Sequence, residues 1–67
     1  MRTYGKLRER IKAEFGTIGN FANAMNKDRS TMSNKLNGIV AWTNDEIESA
    51  CKLLGIAITE VPEYFFY

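Results

Sequence analysis

Along the chain, short stretches with an apolar residue every three or four positions alternate with brief breaks of Gly, Asn and Thr. Tyr4, Leu7, Ile11 and Phe15 make the first such stripe, which predicts a helix over 4–15. Gly16 ends it. Thr17 is placed to cap a second helix over 18–25, in which Phe21, Ala22 and Met25 share one face. Asn26 stands where the chain must turn sharply; after Gly, Asn best tolerates a left-handed backbone. Asp28 is positioned to cap a third helix over 29–36, with Met32 and Leu36 on its inner face and Asn37-Gly38 at its exit. Thr43 and Glu46 have capping-box spacing and open a fourth helix. Its Ile47, Ala50, Cys51 and Leu54 fall at i, i+3, i+4 and i+7 before Gly55. Residues 59–62 can open one last helical turn that tolerates Pro62. The pattern predicts an all-α fold, a compact bundle of about five short helices without a sheet. Leu7, Ile11, Phe21, Ala22, Met25, Met32, Leu36, Ile47 and Leu54 are its expected core.

Sixty-seven residues make one domain, 1–67, and a small one. A chain of this size buries only about 60% of its extended surface, which leaves modest stability without a partner. No apolar run is long enough to span a membrane, and the start Met-Arg-Thr-Tyr-Gly-Lys lacks the apolar core of a secretory signal. A single cysteine forms no internal disulfide, which fits a reducing, cytoplasmic setting. Cys51 lies on the inner stripe of the fourth helix and reads as a core thiol.

Net charge is only +1, but it is unevenly distributed. Through Gly38 there are eight Lys and Arg against three acids; from Ile39 onward Lys52 stands against five. A basic half and an acidic half are what a surface facing a polyanion needs, although chance segregation in a short chain gives the same asymmetry. In the first helix Arg8, Arg10 and Lys12 lie off the apolar stripe. They read as a solvated face, with phosphate contact by Lys6 or Arg10 as the alternative.

Residues 29–36 are unusual for a surface helix. Arg29, Ser30, Thr31, Ser33, Asn34 and Lys35 are hydrogen-bonding groups of middling or ordinary helix propensity, with no Glu among them. Such a set matches major-groove chemistry: Arg chelates guanine, Asn pairs with adenine, and Ser or Thr serves base edges or phosphate. A plain polar surface is the alternative. The two-helix stretch resembles the helix-turn-helix of the Cro and phage-repressor (Xre-type) class. Ala22 matches the small residue of its first helix, Asn26 its turn glycine, Met32 its apolar position in the second helix, and Leu36-Asn37-Gly38 its exit. Asn in place of the turn Gly, and Lys27 where an apolar residue is usual, depart from the pattern. The resemblance extends from about Leu7 to Phe66 and includes small phage-encoded regulators with an aromatic tail.

That resemblance implies a lambda-repressor-like domain that binds operator DNA in the major groove and blocks polymerase. Arg29, Ser30, Ser33 and Asn34 would face bases; Asn20, Thr31, Lys35 and Asn37 would hold phosphates. After residue 38 an apolar connector leads to Trp42, which reads as core with the DNA backbone as the alternative. Val61, Tyr64, Phe65, Phe66 and Tyr67 crowd the C-terminus. Segment 58–67 is either a dimerisation tail working through Tyr64, Phe65 and Phe66, or a flap folded over the first helix. The expected partners are double-stranded DNA and a second copy of the chain, with no membrane and no small-molecule ligand.

An enzyme is hard to build here. There is no histidine, so the commonest general base and any Cys/His zinc site are missing, and no cofactor is expected. Ser49 and Lys52 share a helix face, but nothing activates them. The rival to DNA binding is a protein-interaction module, an antirepressor or assembly factor that keeps the helical fold without touching DNA.

Overall fold

The computed structural model describes residues 4–66. Five α-helices follow in order: α1 (Gly5–Phe15), α2 (Ile18–Ala24), α3 (Arg29–Leu36), α4 (Asn44–Leu54) and α5 (Val61–Phe65). A single 3₁₀ turn, Ile58–Glu60, precedes α5, and no strand occurs among the described residues. The expected all-α bundle is the observed one. The helices start where the sequence supplies acceptors for free N–H groups. Thr17 Oγ1 accepts from the Asn20 amide at 3.1 Å. Thr43 and Glu46 form the reciprocal capping box, with the Thr43 amide donating to Glu46 Oε1 at 2.8 Å. Asp28 occupies the cap position of α3, but its side chain accepts no N–H there.

The turn between α2 and α3 is closed by backbone geometry. Asn26 adopts φ 58°, the left-handed conformation that its type tolerates. Its amide donates to the Asn23 carbonyl and the Lys27 amide to the Ala22 carbonyl, a Schellman arrangement that satisfies the last carbonyls of α2. The same arrangement ends α3, with Gly38 at φ 77° and the Ile39 amide on the Asn34 carbonyl. Two boundaries differ by one residue from expectation. Tyr4 is left-handed, so α1 starts at Gly5; Met25 is the cap of α2 rather than its last residue.

Leu7, Ile11, Phe21, Met32 and Leu36 are fully enclosed, with Ala22, Met25 and Leu54 beside them. Ile47 packs against this cluster from a half-buried position. The core is larger than expected. Tyr4, Ala50, Cys51, Ile56, Tyr64 and Phe65 also belong to it. The tail therefore closes over the bundle: α5 lies on α1 and α4, and Phe65 meets the Trp42 ring edge-on at 5.1 Å between centroids. Tyr4 flanks the other side of Trp42 at 6.3 Å. Trp42 is thus a packing residue, as its bulk predicts, although its buried indole N–H finds no acceptor among the described residues.

Candidate interaction face on the second and third helices

With α2 pinned beneath it, α3 presents Arg29, Ser30 and Asn34 to solvent, while Thr31 and Ser33 are half-buried. Five of the eight residues expected at bases or phosphates therefore fall outside the freely exposed set or are engaged by the fold. Lys35 is the largest departure. It is buried, with Nζ 2.9 Å from Glu46 Oε1 and 3.0 Å from the Ala41 carbonyl. A phosphate contact by Lys35 is not available in this geometry, because the ammonium faces α4. Asn20 keeps an exposed side chain, but its amide donates to the Phe15 carbonyl at 2.9 Å. Asn37 Oδ1 accepts from Arg8 Nη2 at 2.6 Å.

Glu46 is the group around which this side of the molecule is organised, although its spacing from Thr43 marks it only as a capping residue. Burial alone would raise its pKa. The Thr43 N–H and the ammonium groups of Lys35 and Lys27 outweigh that effect and hold the carboxyl down to about 2. Lys27 Nζ lies 3.3 Å from its second oxygen. Lys27 thus completes an ion cluster joining the turn to α4.

Other cations of the basic half are engaged in the same manner. Arg8 donates to the Leu36 carbonyl at 2.8 Å and so ties α1 to the C-terminus of α3. Arg10 donates to the Leu54 carbonyl at 3.0 Å and does the same for α4. A cation at a helix C-terminus both satisfies a free carbonyl and opposes the helix dipole. Lys6 pairs with Glu63 and lies 5.1 Å from the centroid of the Tyr64 ring, which ties α1 to α5. Its pKa is raised, first by the Glu63 hydrogen bond. Neither Lys6 nor Arg10 is placed as a phosphate contact. Among the described residues Lys12 and Arg29 are exposed and carry no ion pair.

The dimerisation assignment needs a similar correction. Tyr64 and Phe65 are buried within the protomer, so they are not free to form a subunit contact, and Phe66 alone of the three remains exposed. The flap alternative describes the first two. Exposed apolar groups do occur beside the tail and the connector, at Ile58, Ile39 and Val40. Burial pushes the Cys51 thiol up, which leaves it protonated in the core. No helix among the described residues is long and apolar enough to cross a membrane.

A groove of about 800 Å³ runs between α1, the start of α2 and α3. Arg8, Lys12 and Arg29 stand on its walls with Glu9 and Ser33. The stem of Arg29 runs beside Gly19, where an added Cβ would lie 3.6 Å from Arg29 Cδ, an ordinary van der Waals contact.

These features define a small all-helical domain built to present one polar helix on a braced scaffold. The chain belongs to the family described as "Protein of unknown function (DUF739)", whose pattern spans residues 2–67. Among solved structures it is similar to the modulator of repression (MOR) of the temperate bacteriophage TP901-1 from Lactococcus lactis, determined in solution. The two share 41% identity over 96% of this chain and 86% of that one, with a TM-score of 0.86. No curated protein matches the chain.

Proposed function

We propose that this chain is a phage regulatory protein that modulates repression by contacting another protein, with the α1–α2–α3 side as its contact face. The observation that carries this reading is the burial of Lys35 on Glu46. With it, Lys6, Arg10 and Lys27 are paired to carboxylates inside the domain. Non-specific affinity for a duplex comes from neutralising a track of phosphates, and a surface with few unengaged cations supplies little of it. Five of the seven described cations of the basic half, Lys6, Arg8, Arg10, Lys27 and Lys35, are engaged within the domain, which leaves less charge for a broad positive face. Similarity to a modulator of repression supports a role in the same kind of control, and the repressor so modulated is the natural partner.

Operator binding is the second reading, and one observation favours it. Arg29, Ser30 and Asn34 are exposed together on a helix that follows a tight turn, as direct readout in a major groove requires. A mobility shift on duplexes from phage promoter regions at low salt separates the two. The first reading expects no retarded band with the chain alone, and a changed band when the phage repressor is also present. Retardation by the chain alone that a specific duplex competes and a scrambled one does not would establish operator binding.

A further inference from the structure

We infer that the groove between α1, α2 and α3 receives a short acidic segment of the partner protein, held by Lys12 and Arg29; this rests on the protein-contact reading above. The groove is walled by three cations against one carboxylate, Glu9. Arg8 is fixed there by its bonds to the Leu36 carbonyl and Asn37, so it shapes the wall and contributes charge without moving. Lys12 and Arg29 are exposed and without an ion pair among the described residues. They approach the same space from different helices, which a surface salt link along one helix would not achieve. The stem of Arg29 runs alongside Gly19, which also lines the groove, so its guanidinium is carried on the α2 side of that space. Gly16 also lines the groove, and a Cβ there would meet nothing within 4 Å, so the space beside it is open.

The shape of the positive charge decides between protein carboxylates and DNA phosphates. A duplex carries a negative charge about every 1.7 Å along its axis and rewards cations spread over many contacts. Here the positive groups converge on one groove, while Lys35 is withdrawn and the side chains of Asn20 and Asn37 are engaged by the fold. A single cluster suits a discrete run of Asp and Glu. Charge complementarity of this kind sets partner choice and encounter rate.

The test uses the full chain labelled with ¹⁵N and three probes: a short Glu/Asp-rich peptide, its Lys-rich counterpart, and a duplex DNA. Gly5, Gly16 and Gly19 line the groove and supply well-separated amide signals. The acidic peptide is expected to shift these amides saturably, while the basic peptide leaves them in place. Arg29→Glu and Lys12→Glu should each weaken the acidic peptide by about tenfold or more, the loss of one charge-assisted contact. In the double variant the preference should invert toward the Lys-rich peptide, an outcome that mere structural damage cannot produce. Both positions are exposed; Glu is favourable in the first turn of α3 and mildly unfavourable in the last turn of α1, so Arg29→Glu should melt like the parent and Lys12→Glu slightly below it, still fully folded at room temperature. Absent glycine shifts, or shifts confined to Ile39, Val40, Ile58 and Phe66, would overturn the groove while leaving the protein-contact reading in force. Stronger groove shifts with the duplex than with the peptide, together with a positive mobility shift, would overturn both.

Discussion

Lys35 of α3 and Glu46 of α4 form a buried ion pair at 2.9 Å. The pair places a cation of the basic half and a carboxylate of the acidic half in one contact, and it converts charge segregation in the sequence into cohesion in the fold. Removing one partner of such a pair leaves the other charged in a poor solvent, which costs about 3–5 kcal/mol. Lys35→Ala is therefore expected to lower the urea midpoint substantially, toward the smaller figure because Lys27 and the Thr43 N–H still hold Glu46. For a domain of this size that is a large part of the total stability. An unchanged midpoint would put Lys35 back on the surface, where its loss would instead reduce a DNA salt slope by roughly one.

Glu46 also sets a pH dependence. Its folded pKa, about 2, lies below the ordinary 4.5, so the folded state favours the ionised form. Its contribution is complete above about pH 5 and is lost as pH falls toward 2, amounting to roughly 3 kcal/mol at most. Thermal melts of the parent and of Glu46→Gln between pH 7 and pH 2 measure it. The difference between the two proteins should shrink on acidification; a difference that stays constant would mean the pair contributes through packing and not through charge.

Truncation after Glu63 should unfold the protomer. Tyr64 and Phe65 are in the core, and loss of each buried aromatic side chain costs about 3–5 kcal/mol. Far-ultraviolet circular dichroism should show a large loss of helix at room temperature. Phe66→Ser tests a subunit role separately, since Phe66 is 54% exposed. It is expected to lower the melting point far less than the truncation does, since more than half of Phe66 is exposed. Sedimentation of parent and variant then reads self-association alone, and a parent that is monomeric at every concentration would rule out a dimer through this tail.

Asn26 holds the turn in a left-handed conformation without the help of glycine. Asn26→Gly should stabilise the protein by up to about 1 kcal/mol, because it relieves the Cβ contact that the conformation imposes. Asn26→Val should destabilise it by more than that, since a β-branched residue is poorly tolerated at positive φ. Equal melting points for both variants would show that the turn rearranges freely, contrary to its two closing hydrogen bonds.

The sequence by itself determined, to within one residue, where the first four helices begin and end. Thr17, Asn26, Gly38, the Thr43–Glu46 box and Gly55 act on backbone groups within a few residues of themselves, so their effect is readable without a partner. It also determined most of the core, because apolar stripes at helical spacing leave few ways to bury them. Only the tertiary structure decided which polar groups remain on the surface. Arg8 finds the end of α3 28 residues away, Arg10 the end of α4 44 away, and Lys6 meets Glu63 57 away. No local pattern distinguishes a cation that meets such a partner from one that meets solvent, and Lys35, which meets Glu46 across the fold, is one of the first kind. The aromatic tail was ambiguous on the same ground: whether Tyr64 and Phe65 face a second subunit or their own core depends on the space that α1 and α4 leave between them, and that space exists only in the folded chain.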